Sequence, residues 1–335
     1  MNKKYYQSLA FAMLVCSIIP AVVYYLSIQH QTLQGFRETV YHFKQVDGPI
    51  QPIPQRIEID KNWLNLGKAL FHSPLLSKDN RVSCASCHMI DFGGDDGFPV
   101  SSGVDNAKGV RNSPTVLNST FSFRQFWDGR ASSLTEQVTG PIHNPIEMAT
   151  SWPEIIIKLS EDSYFTKTFD KLSSDGITAD NIIKAITIYE ESLITPNSPI
   201  DRYLLGDESA LSAQQKHGLD LFINYGCSTC HQGVNIGGNI YQKLGRINDI
   251  PQILTLDHGK YDVSQQEIDK YIFKVPTLRN IAETAPYFHN GAIDNLPDAV
   301  RIMGHSQLGR ELNDDDVNDI VALLNSFSSK IIEIE

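Results

Sequence analysis

Apolar residues recur at three- and four-residue spacing over five stretches: Trp63 to Phe71, Trp152 to Leu159, Thr178 to Leu193, Leu211 to Tyr225 and Asp314 to Phe327. Such spacing draws one apolar stripe along a helix, so five amphipathic helices sharing a buried interior are expected. No run alternates with period two for long enough to predict a substantial sheet. Ser133 followed by Glu136 reads as a capping box and marks a further helix start. The fold is therefore expected to be mainly α.

Ahead of these helices, residues 31–60 carry Pro49, Pro52 and Pro54 without periodic apolar positions, the pattern of an extended linker. Residues 1–30 differ again, because Lys3 and Lys4 precede an apolar run from Leu9 to Ile28, about the length of a membrane-crossing helix. Positive charge marks the inner side and sends the rest of the chain out of the cytoplasm. No convincing small-x-small cleavage site follows the run. An uncleaved N-terminal membrane helix anchored in the inner membrane is thus favoured over a removed signal peptide, and the body is expected to be periplasmic in either case.

The helical body is duplicated. Lys68 to Phe71 precedes one Cys-x-x-Cys-His motif and Gly218 to Phe222 precedes another. Downstream, Asn112-Ser-Pro-Thr-Val-Leu-Asn118 aligns with Lys274-Val-Pro-Thr-Leu-Arg-Asn280, and Phe126-Trp-Asp-Gly129 with Phe288-His-Asn-Gly291. Pro, Asn, Ser and Gly concentrate between Pro196 and Gly206, which suggests a break there. Two cytochrome c-like domains are expected, 61–205 and 206–335, with the C-terminal tail returning to pack on the first.

With 335 residues, 41% of them hydrophobic, the chain can bury a core large enough for two domains. Its formal net charge of -11 excludes nucleic acid as a partner and would steer a basic protein towards it. Of five cysteines, Cys16 lies in the apolar leader and the other four fill the two motifs, leaving no thiol for a structural disulfide in the body.

Those motifs, Cys84-Ala-Ser-Cys87-His88 and Cys227-Ser-Thr-Cys230-His231, carry the chemistry. Two thiols one helical turn apart can reach both vinyl groups of one porphyrin while the next imidazole ligates its iron, so two covalent c-type haems are expected. A redox dithiol or a zinc site would not call for a His directly after each pair. His88 and His231 are then the proximal ligands. In the second half, the segment Leu296 to Met303 ends in a thioether suited to the other face of that iron. The matching segment of the first half, Leu134 to Val138, has no Met and runs on to a carboxylate at Glu147. Unequal irons suggest unequal work. A His/Met iron has a raised potential and suits electron entry, whereas an iron open on one face binds a small oxidant such as peroxide. Glu147 could then move a proton between the peroxide oxygens, Gln137 could orient peroxide or water, and Trp127 could relay electrons between the halves.

From Trp63 to Phe327 the chain resembles the bacterial di-haem cytochrome c peroxidases and their relatives of the MauG type. The likeness rests on both haem motifs and on Pro99-Val-Ser101, Arg111 to Thr115, Gln125 to Arg130, Pro145 to Met148, Ala285 to His289 and Ile302-Met-Gly304. It implies reduction of hydrogen peroxide to water by electrons from a small donor such as cytochrome c or a copper protein. It also implies Met303 as the distal ligand, Glu147 and Gln137 as the peroxide-handling pair, and Trp127 between the haems. A calcium ion at Asn112, Thr284 and Pro286 and a homodimer are implied too. One position departs from the pattern: Val104 stands where many of these peroxidases carry a His that closes the first iron, and valine cannot ligate. The first haem is therefore expected to rest open, with His72 and His143 read as surface or packing residues. A MauG-like oxidase acting on residues of a partner protein is the alternative, although MauG has Tyr where this chain has Met303. A membrane-tethered carrier with no catalytic role would gain from two closed irons, and Glu147 argues against it.

Overall fold

In α1 (Lys61–Phe71) the side chains of Trp63, Leu66, Leu70 and Phe71 share one face, and that face is buried. The helix starts at Asp60, whose carboxylate accepts from the backbone N–H groups of Asn62 and Trp63. The computed structural model describes residues 39–334. Further helices of ten residues or more are α2 (Trp152–Glu161), α3 (Ser163–Leu172), α4 (Ala179–Ser192), α5 (Ala213–Asn224), α6 (Leu296–Leu308) and α7 (Asp314–Asn325). Strands β1 (Tyr241–Lys243) and β2 (Ile272–Lys274) pair antiparallel, with Gln242 opposite Phe273. The mainly helical reading holds.

Two elements exceed what periodicity predicted. Asp162 caps α3 through the N–H groups of Tyr164 and Phe165, starting a helix that buries Phe165 and Phe169 on one face and that lies outside the five periodic stretches. The segment around Met303 is a full helix, α6, capped by Asn295 and stopped by Gly309 in the left-handed conformation. The box at Ser133 closes differently from expectation. Ser133 Oγ accepts from Glu136 N at 3.1 Å, but the Glu136 carboxylate turns to Ser132 N, 2.7 Å away.

The duplication is visible in packing. α1 crosses α4 at Gly67, where a Cβ would collide with the carbonyl of Ala185; α5 crosses α7 at Gly218, where a Cβ would collide with the carbonyl of Asp319. Only glycine lets the paired backbones approach so closely. Bulky residues with positive φ also recur in register, Phe126 at 68° and Phe288 at 67°.

One core gathers Leu66, Leu70, Ile155, Phe169, Ile182 and Ile186, and a second gathers Phe222, Val317, Leu323 and Phe327. Both lie in one compact unit from Tyr41 onward. At their junction, Thr195 Oγ1 is 2.8 Å from Asn118 Nδ2 and 3.0 Å from Asn280 Oδ1, all fully buried. Residues Pro199–Leu204 form a helix whose Asp201 pairs with Arg279 at 2.8 Å, neither side chain exposed. Arg279 also donates to Gln51 O, and Ile50 enters the second core, so the proline-containing segment is held against the second half. The tail reaches the first half, where Ile332 N donates to Ile194 O at 2.9 Å.

The expected N-terminal membrane helix falls outside the described residues. Among the described residues no helix is long and apolar enough to cross a membrane.

Candidate active site

Each haem motif folds into one tight turn. Ser83 opens the helical turn Cys84–Cys87, and His88 N donates back to Cys84 O at 3.0 Å. Gly226, at φ 93°, opens the turn Cys227–Thr229, and His231 N donates to Cys227 O, also at 3.0 Å. The four thiols are unpaired. Burial pushes the Cys84 thiol up to about 12 and the Cys227 thiol up to about 11.

The two imidazoles are held neutral by the same force. Burial lowers the pKa of His88, and it lowers that of His231 to about 4 against the opposing pull of the Ile236 and Pro276 carbonyls. A neutral imidazole is the form that ligates a metal. His88 Nδ1 lies 3.3 Å from Gly94 O and 3.3 Å from Ser113 Oγ, a contact that favours the tautomer leaving Nε2 to coordinate. His231 Nδ1 is buried without a well-formed hydrogen bond. Half-buried cysteines, neutral imidazoles and a cavity beside each motif suit a covalently attached haem in each half.

The cavity beside His88 is lined by Cys84, Cys87, Gln137, Glu147 and Glu190. Glu147 is positioned from both sides. Asn144 Nδ2 donates to its Oε1 at 2.6 Å, and its own carbonyl accepts from Val104 N at 2.8 Å. Burial raises the Glu147 pKa, partly offset by the Asn144 bond and by Arg130. Val104 is buried. His72 Nδ1 lies 2.9 Å from Lys68 O, and His143 Nδ1 lies 3.0 Å from Thr150 O with its ring against Trp152; neither lines this cavity.

The cavity beside His231 is lined by Cys227, Cys230, Met303 and Phe288. Asn112 and Trp127 line both cavities. Trp127 Nε1 donates to Asn112 O at 2.9 Å, which ties the indole to the wall between them. Trp127 and Met303 also pack against the same small cluster of Leu244, Leu254 and Phe273. Thr284 and Pro286 line the second cavity with Asn112.

Four features escaped sequence reasoning. Arg111 joins Asp128 to Asp257, with Nε 2.5 Å from Asp257 Oδ2. His289, the repeat counterpart of Trp127, stacks on Phe273 at 4.3 Å and leaves Nε2 buried without a partner. Lys274 is pushed down to about 8 by burial in the second cavity wall. Glu190 is pushed up to about 8 by burial, with Glu191 adding to the shift. Tyr-Glu-Glu-Ser reads as a solvated helix end, and only comparison of the two halves could have drawn attention to its first Glu.

Two covalent-haem turns on one duplicated helical body, with different residues on the open side of each cavity, define a di-haem c-type redox protein. The sequence profile of the di-haem cytochrome c peroxidases matches residues 61–209. Cytochrome c peroxidase Ccp of Escherichia coli (strain K12) is 48% identical over 283 residues, 84% of this chain and 61% of that protein, so this chain spans less than two thirds of that relative. Cytochrome c551 peroxidase of Pseudomonas aeruginosa is 43% identical over 304 residues, 87% of each chain. Among solved structures, a MauG-like protein associated with microbial copper homeostasis superposes with TM-score 0.74 at 26% identity, covering 85% of this chain and 94% of that one. The chain belongs to the di-haem cytochrome c peroxidase family, and that family carries two haems.

Proposed function

We propose that this protein is a cytochrome c peroxidase that reduces one hydrogen peroxide to two waters, taking two electrons from a small redox protein and two protons from solvent. Met303 and His231 would hold the haem of the second cavity, suited to electron entry, and His88 would hold that of the first, suited to peroxide cleavage. When bound, the haems supply the irons that accept electrons and bind peroxide. Glu147 accepts a proton from the inner peroxide oxygen and returns it to the outer one. Gln137 orients the oxidant by hydrogen bonding, and Trp127 bridges the two cavities. The observation that carries this reading is the unequal lining: Glu147 and Gln137 belong to one cavity, Met303 to the other, and Trp127 to both.

Val104 would offer no ligand to an iron held by His88, and the enzyme would then work with little or no prior reduction. A calcium ion at Asn112, Thr284 and Pro286 would stiffen the wall that also holds Trp127, with oxygen donors suited to that ion. The leader residues Lys3 and Lys4 and covalent haem support a periplasmic protein tethered to the inner membrane. A homodimer and the choice between cytochrome c and a copper protein as donor rest on family likeness. A MauG-like oxidase is the second reading, favoured by the open first iron and disfavoured by Met303.

The test is peroxide-dependent oxidation of reduced cytochrome c by the purified holoenzyme, run beside Glu147→Ala. Rapid turnover by the wild type, slowed about 10²–10⁴-fold in the variant, is the expected result. An inactive wild type removes the assignment, and an equally fast variant removes the role of Glu147.

A further inference from the structure

Glu190 is a carboxylate that the proposed reaction does not use, set where it costs most. It lies on α4, is 5% exposed, lines the first cavity, and leaves Oε2 buried without a hydrogen bond. No cation is within ion-pairing distance among the described residues. The ionisable groups around it are Glu191 and Tyr189 on its own helix and Cys84 on the haem turn, with His88, Glu147, Arg111 and Arg130 elsewhere on the cavity wall. Glu190 adds to the upward push on the Cys84 thiol, second only to burial.

The duplication supplies a control. Gly67 meets Ala185 O and Tyr189 Cβ, and Gly218 meets Asp319 O and Leu323 Cβ; Asn118 N bonds Leu193 O, and Asn280 N bonds Phe327 O. All three pairs keep one offset of 134 residues, which sets Glu190 against Leu324. Leu324 is 4% exposed and lines the second cavity. Packing at this place is thus met by an apolar side chain of similar size, and a carboxyl there serves something other than packing. At this packing position a chargeable group of the first half is replaced by an apolar one in the second.

A ferric haem core carries one net positive charge that reduction removes, and a bound ion of that kind dominates the protonation of its neighbours. An unpaired buried carboxyl is ionised beside the charged form and neutral beside the uncharged one. We propose that Glu190 is the proton-carrying partner of the first haem, its carboxyl binding one proton from solvent when that haem takes up one electron and releasing it on reoxidation. The electron comes from the donor protein. The ionised carboxylate keeps the first haem in its oxidised state, while Leu324 leaves the second easy to reduce. This rests on haem filling the first cavity, and potentiometry reads it whether or not the peroxide assignment stands.

Spectroelectrochemical titration of the holoenzyme over a series of pH values tests it. The potential of the first haem should fall as pH rises from neutral to mildly alkaline. Glu190→Gln and Glu190→Leu should both flatten that slope and raise the potential at alkaline pH, without changing the slope of the second haem. The infrared difference spectrum should gain a protonated carboxyl band on reduction, absent in Glu190→Gln. Variants that attach both haems and keep the wild-type slope overturn the proposal. So does a wild-type first haem without pH dependence, or a wild-type spectrum without the carboxyl band, which need no variant at all.

Discussion

The backbone N–H of Val104 donates a 2.8 Å hydrogen bond to the carbonyl oxygen of Glu147. The residue standing where a closing ligand would be found thus braces the carboxylate expected to move the proton. Gly103 fits beneath, where a Cβ would collide with the Ile146 carbonyl. This loop is docked on the Ile146–Glu147 segment through its backbone, and the side chain at 104 is free to be apolar.

Val104→His should close the first haem. Absorption and electron paramagnetic spectra of the oxidised variant should turn low-spin at that iron, and peroxide turnover should then require prior reduction. A variant whose first haem stays high-spin and active without reduction would show that the loop cannot deliver a ligand.

Burial holds the Glu147 carboxyl above its ordinary range, so it takes up a proton at higher pH than a free glutamate at about 4.3. Only the ionised form can accept a proton from peroxide. Turnover should therefore fall as pH drops through that raised pKa, and the acid limb should vanish in the slow Glu147→Gln variant. Stopped-flow rates of peroxide consumption across acidic pH check the sign.

Removing the thioether should act on one haem alone. Met303→Ala is expected to lower the potential of the second haem and slow electron entry from reduced cytochrome c, leaving cyanide or peroxide binding at the first haem unchanged. A shift in both potentials would mean that the cavities are not independent.

Arg279 and Asp201 form an ion pair with no solvent exposure, and the guanidinium also serves Val234 O, Gln51 O and Ser198 Oγ. Arg279→Leu should cost about 3–5 kcal/mol of stability, because it strands a buried carboxylate. Denaturant unfolding of the holoprotein measures it, and a loss below about 1 kcal/mol would show that the pair is replaceable.

Trp127 ties to Asn112 O and packs with Met303 around Phe273. Trp127→Phe keeps an aromatic ring but removes the indole donor. Electron transfer from the second haem to the first should slow while both haem spectra stay intact, as read by single-turnover kinetics.

Amphipathic spacing, the two Cys-x-x-Cys-His turns and the internal repeat are properties of neighbouring residues, and each was legible in the chain. They were enough to predict a mainly helical, duplicated body with unlike cavities and to single out Glu147, Gln137, Trp127 and Met303. α3 was hidden, although Asp162 caps it and Phe165 and Phe169 stand four apart on one face, because two buried side chains draw only a short stripe. Glu190, Lys274 and Arg111 were hidden for another reason. A carboxylate, an ammonium or a guanidinium has the same letter in water and in a core, and its cost and protonation depend on groups far away in sequence. Glu190 is beside Cys84 only because α4 packs on α1, and Arg111 reaches Asp257 only because the two halves close on each other. Spacing along the chain determined which cofactor this protein can hold, and long-range burial determined the charge that each cofactor meets.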